Sequence, residues 1–455
     1  MMLKHDLLLA LLSFKRNPVL TVLMVSAIAA GIGSAMVTIT LYHARAGHPI
    51  WWKEDRLFAV ALDNRGSDHT NENLMRHPEY PPDQLTFRDA EALYRSDIPE
   101  HSVMMYRSGR VVDPGRGGLR PFGALVRVTT ADFFPMFDVP LLYGAGWDRP
   151  ADTSPEPVIV IGKHLNDKLF NGANSVGRTV NLNGREFRVI GVVNDWMPRP
   201  KFYDLTSGGA FDISEDIYMP FGWATALKME SYGSINCVTP NAKIGAFEDI
   251  INTDCDMVQF WVEIPSAARL RQYRQFVDNY TTDQRQHGRF VRPTNNRVVD
   301  VPTWLEMHDV IGDDSRIEVV LALVFLAVCI LNTLGLMLAK FLGAAPITGL
   351  RRALGASRKQ IIRQHLIEVM VVGMTGGLVG LALAWMGLWA IRVMTYIPGP
   401  DDSPDKRALA EALSHMDHRM IVFAVGISLV TGVLAGIYPA WRIGKAAPAR
   451  FLKAQ

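Results

Sequence analysis

The stretch VVLALVFLAVCILNTLGLMLA, residues 319–339, is a run of apolar residues without a charged side chain. A helix of about 20 such residues crosses the ~30 Å hydrocarbon core of a bilayer. Three further runs of this kind lie at Val19–Leu41, Val369–Ile391 and Met420–Trp441. Because buried helices of soluble proteins seldom continue that long without a charge, the four runs predict four transmembrane helices.

The first run has an alternative interpretation as a signal peptide, since Ala44-Arg45-Ala46 resembles a small-x-small cleavage site. Signal peptides have apolar cores of about 7–15 residues, whereas Val19–Leu41 is considerably longer. A retained membrane helix is therefore the favoured interpretation.

Basic residues around the runs set the predicted orientation, because cytoplasmic loops are enriched in Lys and Arg. Residues 340–363, which follow the second run, contain no acid and these bases: Lys340, Arg351, Arg352, Arg358, Lys359 and Arg363. The tail after the fourth run is also basic, whereas acids slightly outnumber bases in the loop 392–419. Both termini are therefore predicted to be cytoplasmic, and residues 43–316 are predicted to be external.

The external portion alternates strand and helix signals, which favours a mixed α+β domain over a β-sandwich. Asn183-Gly184 suits a type I′ hairpin turn, because both positions tolerate positive φ. The predicted strands and helices are Val158–Ile161, Lys163–Phe170, Arg178–Leu182, Glu186–Val193, Val258–Ile264 and Ala267–Tyr280.

The overall composition excludes several classes of protein. Of 455 residues, 47 are basic and 45 are acidic, so there is no basic excess that would indicate a nucleic-acid partner. Three cysteines exclude a disulfide-dense scaffold and a four-cysteine zinc site. Cys237 and Cys255 both lie in the predicted external portion, where they could form a disulfide or stay as two separate thiols; the sequence favours neither. Cys329 lies in a predicted span.

No catalytic, cofactor or metal motif is found in the sequence. Gly162-Lys163 and Gly444-Lys445 lack the remainder of a phosphate-binding P-loop, and neither a zinc-protease nor a serine-hydrolase motif is present. His415 and His418 are spaced to face one metal ion, but solvated histidines are the favoured interpretation. We therefore expect this chain not to be an enzyme and to hold no cofactor.

Small residues recur at four-residue spacing in the predicted spans. Such spacing lets helix backbones approach closely, within one chain or across a dimer. The helix-packing residues predicted on this basis are Gly373, Gly377 and Gly380 in the third span, and Gly432 and Gly436 in the fourth.

Both ends of the chain, and part of its middle, resemble the MacB/FtsX-type permeases of ABC transport systems. The segment GLRRALGAS, residues 349–357, is similar to the family's cytoplasmic connector. The end GIYPAWRIGKAAPARFLKA, residues 436–454, resembles the family's closing pattern. In the external portion, ADFFPMFDVPLL (residues 131–142) and the region 158–193 resemble the MacB-like periplasmic core domain.

The resemblance implies four transmembrane helices plus a large α+β periplasmic domain between the first and second helices. We expect a multi-pass protein of the bacterial inner membrane. The expected segments are a cytoplasmic interfacial helix (1–18), TM1 (19–42), a periplasmic MacB-like core domain (43–317), TM2 (318–340), a cytoplasmic coupling segment (341–367), TM3 (368–392), a short periplasmic loop (393–419), TM4 (420–441) and a cytoplasmic tail (442–455).

The resemblance also implies that the connector couples this chain to a separate ABC ATPase subunit, which would hold ATP and Mg²⁺. The residues expected to carry this coupling are Gly349, Arg351, Arg352, Leu354 and Gly355. From the residues alone, we expect a short basic helix from Arg351 to Arg363 that contacts an acidic partner surface or the anionic inner leaflet. In the other interpretation, Arg358 and Lys359 serve only to keep this segment on the cytoplasmic side of the membrane.

The connector departs from the family at Ile347, where relatives usually have a glutamate, and at the preceding Pro346. We therefore hypothesise a heterodimer with a second, more regular permease, although a homodimer stays open. The implied function is mechanotransmission: ATP hydrolysis in the cytoplasm drives motion of the periplasmic domain.

The expected substrate is a periplasmic peptide, antibiotic or lipidated protein. The expected partners, besides the ATPase and membrane lipids, are a periplasmic adaptor and an outer-membrane channel. The alternatives are an FtsX-like regulator of a cell-wall hydrolase and a lipoprotein-release permease. A stand-alone membrane enzyme is the least favoured alternative.

Overall fold

The computed structural model describes residues 17–66, 79–115, 119–237, 247–310, 313–395 and 418–445. The chain divides into two compact units. Within the described residues, an α+β unit comprises 47–310, and a helical unit comprises 17–46, 313–395 and 418–445. The predicted interfacial helix, most of the predicted loop 393–419 and most of the tail lie outside the described residues.

The chain begins its described course with helix α1, Pro18–Arg45, and then enters the α+β unit. The helices of that unit are α2 (Phe87–Tyr94), α3 (Phe133–Met136), α4 (Pro150–Thr153), α5 (Lys163–Phe170), α6 (Trp223–Ala226), α7 (Phe247–Asn252), α8 (Ala267–Gln286) and α9 (Val301–Met307). Its strands are β1 (Leu57–Ala61), β2 (Leu85–Thr86), β3 (His101–Asp113), β4 (Phe122–Thr129), β5 (Leu141–Gly144), β6 (Val158–Gly162), β7 (Thr179–Leu182), β8 (Arg185–Val193), β9 (Ile217–Pro220), β10 (Asn236–Cys237), β11 (Cys255–Glu263) and β12 (Arg297–Asp300).

The strands form one mixed sheet in the order β12-β1-β11-β3-β4-β9-β6-β8-β5. Strands β10 and β2 pair with β11, and β7 joins β3 to β8. The β4–β9 and β6–β8 pairs are parallel, while β1 pairs antiparallel with both β11 and β12. A mixed sheet with helices between its strands confirms the predicted α+β class.

The predicted hairpin turn at Asn183-Gly184 is confirmed. Asn183 has φ +50° and Gly184 has φ +85°, and the flanking strands β7 and β8 pair from Leu182 to Arg185. Positive φ at both central positions is the requirement of a type I′ turn. The strand predicted at Val258 begins three residues earlier, and the helix predicted to end at Tyr280 continues to Gln286.

Two hydrophobic clusters cover opposite faces of the sheet. Successive residues of a strand point to opposite faces, and this alternation sorts Phe260 and Val262 into one cluster and Trp261 into the other. The Trp261 cluster is rich in aromatic rings, with Phe133 packed at 5.2 Å from Phe137 between ring centroids. Both faces are therefore covered, as expected of a large mixed domain.

The helical unit contains α1 together with α10 (Asp313–Gly343), α11 (Ala345–Ala353), α12 (Arg358–Thr395) and α13 (His418–Lys445). Three of its helices are long and apolar enough to cross a membrane: Pro18–Arg45, Ser315–Gly343 and Arg358–Met394. In α13 the apolar stretch among the described residues is shorter, Ile421–Val433.

The prediction of a short basic helix from Arg351 to Arg363 is wrong. Helix α11 ends at Ala353, and Gly355 has φ +100°, a left-handed conformation that a right-handed helix does not pass through. A new helix begins at Arg358 and continues without interruption to Thr395. Arg358 and Arg363 therefore belong to the long helix α12, and the connector has two parts.

Candidate functional site: the coupling turn and the helix contacts around it

The residues between α11 and α12 form a turn that ends the first helix abruptly. The backbone N–H of Ala356 donates to the carbonyl of Arg351 at 3.0 Å, the longer-range bond of a Schellman motif, and Gly355 takes the left-handed position that the motif needs. The sequence signal for this turn is glycine after a helical run. We name residues 354–357 the coupling turn.

An apolar side chain stands exposed at the coupling turn. Leu354 is 80% exposed, although leucine is among the residue types most often buried. Arg351 is exposed beside it and donates to the side-chain oxygen of Gln364 at 3.2 Å, and Arg358 and Lys359 are exposed on the far side of the turn. An exposed leucine among cations is the surface expected of a docking site for an acidic or apolar partner.

The remaining residues predicted for coupling contribute less to this surface. Gly349 lies in α11, and in the described part of the chain no residue outside that helix comes within 4 Å of where a Cβ would stand. The side chain of Arg352 lies outside the described part of the chain.

A buried ion pair lies at the same end of the membrane helices, and the sequence did not reveal it. Lys340 of α10 and Glu368 of α12 approach to 2.7 Å between Nζ and Oε1, and both side chains are less than a tenth exposed. His365 Nδ1 lies 3.5 Å from the other carboxylate oxygen, and its ring is tilted against that of Phe341 at 4.2 Å between centroids. The charge of Glu368 is thus held by Lys340 within the helical unit.

Glycines bring α12 into close contact with its neighbours α13 and α1. A Cβ on Gly373 would lie 2.8 Å from the Cα of Gly432, and one on Gly377 would overlap the side chain of Ser428. Towards α1, a Cβ on Gly380 would lie 3.0 Å from the carbonyl oxygen of Ala29. These distances leave no room for side chains, so the helices touch through their backbones.

Two more glycines take part in this packing, whereas the surroundings of the predicted Gly436 are not described. A Cβ on Gly376 would lie 2.7 Å from the side chain of Ile28, and one on Gly33 of α1 would lie 3.2 Å from the carbonyl oxygen of Gly380. The surroundings of Gly436 lie outside the described side chains.

The α+β unit contains a fully buried ionic cluster that the sequence also did not reveal. Arg127 of β4 is bonded to both Asp204 and Glu215, and Lys201 Nζ lies 2.7 Å from Glu215 Oε1. All four side chains are at most 2% exposed. Tyr203 donates its hydroxyl to Glu215 at 3.1 Å. We name these four charged residues the buried cluster; it fastens the long connection between β8 and β9 to the sheet.

The buried cluster holds its carboxylates in the ionised form. Burial would raise the pKa of Glu215, but the charges of Arg127 and Lys201 outweigh it and lower the pKa to about 2. For Asp204 the same balance of burial against Arg127 and Lys201 gives a pKa well below its usual value. Burial lowers the pKa of Lys201, with Glu215 opposing that change.

Cys237 and Cys255 form a disulfide between the paired strands β10 and β11. The bond closes a loop with a sequence separation of 18 residues, most of it outside the described residues. The third cysteine, Cys329, is a buried free thiol in α10.

Removing this bond is expected to destabilise the α+β unit. A loop of this length loses about 3 kcal/mol of stabilisation when its cross-link is removed, because the unfolded chain regains its freedom. We expect Cys237→Ala/Cys255→Ala to melt at lower temperature than the parent in a thermal unfolding measurement without reductant. Dithiothreitol should lower the melting temperature of the parent and leave that of the variant unchanged; a parent that melts identically with and without reductant would contradict the prediction.

The comparisons with known proteins match nearly the whole chain. The model of the MacB-like periplasmic core domain matches residues 21–278, more than half of the chain, and the model of the FtsX-like permease C-terminal domain matches residues 319–448. This chain is a MacB/FtsX-type ABC transporter permease. The resemblance inferred from the sequence motifs is thereby confirmed.

Curated relatives of this permease include proteins named ATP-binding/permease protein and one named permease. Macrolide export ATP-binding/permease protein MacB of Rhodopirellula baltica is 24% identical over 96% of this chain and 60% of the relative. The uncharacterized ABC transporter permease YknZ of Bacillus subtilis is 22% identical over 65% of this chain and 61% of the relative. This permease spans about half the length of further relatives, 46–50%, named for macrolide or pyoverdine export.

A solved structure also resembles part of this permease. The periplasmic region of MacB from Actinobacillus actinomycetemcomitans covers 58% of this chain and 97% of its own, at 16% identity. The TM-score is 0.36, which is too low to carry an argument.

Proposed function

We propose that this permease couples ATP hydrolysis by a separate nucleotide-binding subunit to motion of its α+β unit. The exposed Leu354 at the coupling turn, surrounded by basic side chains, carries the proposal. Relatives named ATP-binding/permease proteins support it, because those names join ATP binding to a permease. We assign ATP and Mg²⁺ to the nucleotide-binding subunit, and no enzymatic activity to this permease.

We propose that α13 is the fourth span, so that both termini are cytoplasmic and the α+β unit is periplasmic. The uncharged run Met420–Trp441 is long enough to cross a bilayer, and the basic segments at the two termini and the connector then fall on one side. The predicted boundaries of the spans, 19–42, 318–340, 368–392 and 420–441, are part of this proposal. The membrane is the bacterial inner membrane.

Motion is proposed to pass from the coupling turn through α12 to the helices around it. The Lys340–Glu368 pair joins α12 to α10 at the end where the coupling turn lies, and the glycine contacts join α12 to α1 and α13. Backbone contact of this kind favours movement of the helices as one body, since packed interfaces deform little. Helices α1 and α10 are the ones that continue in sequence into the α+β unit.

The proposed substrate is a molecule already in the periplasm, such as a peptide or an antibiotic. The names of relatives, for macrolide and pyoverdine export, support export over regulation of a cell-wall hydrolase or lipoprotein release. A periplasmic adaptor, an outer-membrane channel and a second permease complete the proposed assembly. Ile347 and Pro346 favour a heterodimer, because this connector lacks the acid that family members usually have.

Leu354→Glu is expected to prevent binding of the nucleotide-binding subunit. The substitution puts an acid at the centre of an exposed apolar and basic surface and removes the apolar contact, and a central interface residue commonly contributes about 2 kcal/mol or more. We expect at least a tenfold loss of co-purified ATPase, the ratio that about 1.4 kcal/mol corresponds to. The measurement is affinity purification of the permease from its native host, with the co-purified ABC ATPase quantified by mass spectrometry.

Leu119→Glu is the matched control, since Leu119 is 45% exposed and lies in the α+β unit. Both variants should reach the membrane in amounts equal to the parent. Retention of the ATPase by Leu354→Glu at the parental level would refute the docking role of the coupling turn.

A further inference from the structure

Two adjacent tryptophans stand exposed on the α+β unit shortly after α1. Trp51 is 69% exposed and Trp52 is 55% exposed, and their rings meet edge to face at 5.9 Å between centroids. Tryptophan is seldom left this exposed in a soluble domain, because its ring has a large apolar area. We name residues 50–53 the tryptophan turn.

The tryptophan turn is anchored firmly to the domain. Ile50 is buried, and Trp52 donates its indole N–H to Asp138 at 2.8 Å. Lys53 Nζ pairs with Glu263 at 3.1 Å and donates to the carbonyl of Pro135 at 2.8 Å. The two rings are therefore presented by a fixed base, in contrast to aromatic residues on a loose linker.

The sheet register shows which end of the α+β unit the turn occupies. Strand β1 starts four residues after Lys53. Phe58, near the start of β1, pairs with Asp300 at the end of β12. From Asp300 the chain continues through α9 to α10. Leu57 pairs with Glu263, the carboxylate that holds Lys53. The chain thus enters and leaves the sheet at one end, and the tryptophan turn is fastened to that end.

If α1 and α10 are spans, the connection from α1 limits how far the tryptophan turn can lie from the membrane. Trp51 lies six positions after Arg45, the last residue of α1, and a chain of that length reaches at most about 20 Å even when fully extended. Tryptophan prefers the headgroup region of a bilayer, where the ring has apolar surroundings and the N–H has polar ones.

We propose that the tryptophan turn binds the outer-leaflet interface of the membrane, with the ring of Trp51 among the lipid headgroups. This contact sets the height and tilt at which the α+β unit stands on the bilayer. The inference rests on the proposed spans α1 and α10, and it does not depend on docking of an ATPase.

The test uses the full-length protein in lipid nanodiscs, with a nitroxide spin label at Trp51→Cys. We expect the label to be more accessible to oxygen than to a water-soluble nickel complex, as is typical of the lipid interface. The matched control is Tyr232→Cys, at an exposed aromatic of the same unit that is hydrogen-bonded to the backbone of Arg107, well along β3 from the membrane-proximal end.

A third label separates failure of this proposal from failure of the span assignment. Val324→Cys lies on the exposed face of α10 and must report hydrocarbon if α10 is a span. Two results overturn the proposal when the label at 324 lies in hydrocarbon. In the first, the label at position 51 is as accessible to the nickel complex as the label at position 232. In the second, the label at position 51 is shielded from both reagents, which indicates a protein partner or second copy.

A second measurement avoids the cysteine substitution. Trp51→Phe keeps an aromatic ring at the turn, and we expect brominated lipids to quench a smaller share of tryptophan fluorescence in this variant than in the parent. Equal quenching of both proteins overturns the proposal.

Discussion

Arg127→Met is expected to destabilise the α+β unit by about 3–5 kcal/mol, because it leaves two buried carboxylates with half of their positive partners. Arg127 is fully buried and bonds both Asp204 and Glu215, so its guanidinium and these carboxylates are shielded from solvent. Lys201 still faces Glu215, whereas Asp204 loses its ionic contact within the cluster. For a domain of this size the loss corresponds to a fall in melting temperature of roughly 6–20 °C.

The measurement is thermal unfolding of the full-length permease in detergent, followed by trypsin resistance of the α+β unit. Lys228→Met is the matched control, because the Lys228–Glu248 pair has the same charges and is largely exposed. Exposed pairs contribute about 0–1 kcal/mol, so this control should melt close to the parent. Equal melting of both variants would show that the buried cluster does not hold the β8–β9 connection.

The difference between Arg127→Met and the parent should shrink in acid. Glu215 has a pKa lowered from 4.5 to about 2 in the folded protein, so its stabilising contribution is complete above pH 4.5 and is lost as the pH falls through about 2. The pKa of Asp204 is lowered in the same direction. Melting curves of both proteins at pH 7, 4 and 3 should therefore converge; a constant gap would contradict the ionic origin of the effect.

The three long apolar helices and the hairpin could be predicted from sequence because their signals are local. An uncharged run of the length of residues 319–339 is uncommon in any other setting, and Asn183-Gly184 specifies a turn by its own backbone preferences. The coupling turn could also be predicted in part from a local signal. Gly355 follows a helical run, and its positive φ divides the connector that the basic pattern alone had joined into one helix.

The ionic contacts could not be predicted, because they join residues that are distant in the chain. Lys340 and Glu368 each look like a charge at the end of a span, and their pairing depends on how α10 and α12 pack. Arg127 and Glu215 lie 88 positions apart and meet only after β4 and β9 have paired in parallel. Alternation along a strand also predicts an apolar residue at many inward positions, so a buried arginine there has no local signal.

The glycine contacts could be predicted from sequence only in part. Small-residue spacing identified Gly373, Gly377 and Gly380 as packing positions, but the identity of the helix that each one meets required the structure. Gly373 and Gly377 face α13, whereas Gly376 and Gly380 face α1. Two adjacent faces of one helix are thus used by glycines, which explains why the spacings overlap in the sequence.

Gly373→Leu is expected to separate α12 from α13 and to cause the largest loss of stability in the helical unit. A Cβ at this position would lie 2.8 Å from the Cα of Gly432 and 3.3 Å from the carbonyl oxygen of Ser428, so the obstacle is backbone and no rotamer relieves it. Overpacking in a tight interface costs about 1–3 kcal/mol, and the separated helices also lose the contacts along their length.

Gly426→Leu in α13 is the matched control, since among the described residues no other helix comes within 4 Å of where its Cβ would stand. The two variants add the same apolar side chain to a membrane helix, so a difference between them reports packing alone. We expect detergent-solubilised Gly373→Leu to aggregate at a temperature well below the parent in a heating series, and Gly426→Leu to behave as the parent does. Because the glycine contacts are proposed to carry motion from the coupling turn, Gly373→Leu should also retain less ATPase activity in a purified complex. If Gly373→Leu and Gly426→Leu aggregate at the same temperature, the prediction that α12 and α13 pack through Gly373 is wrong.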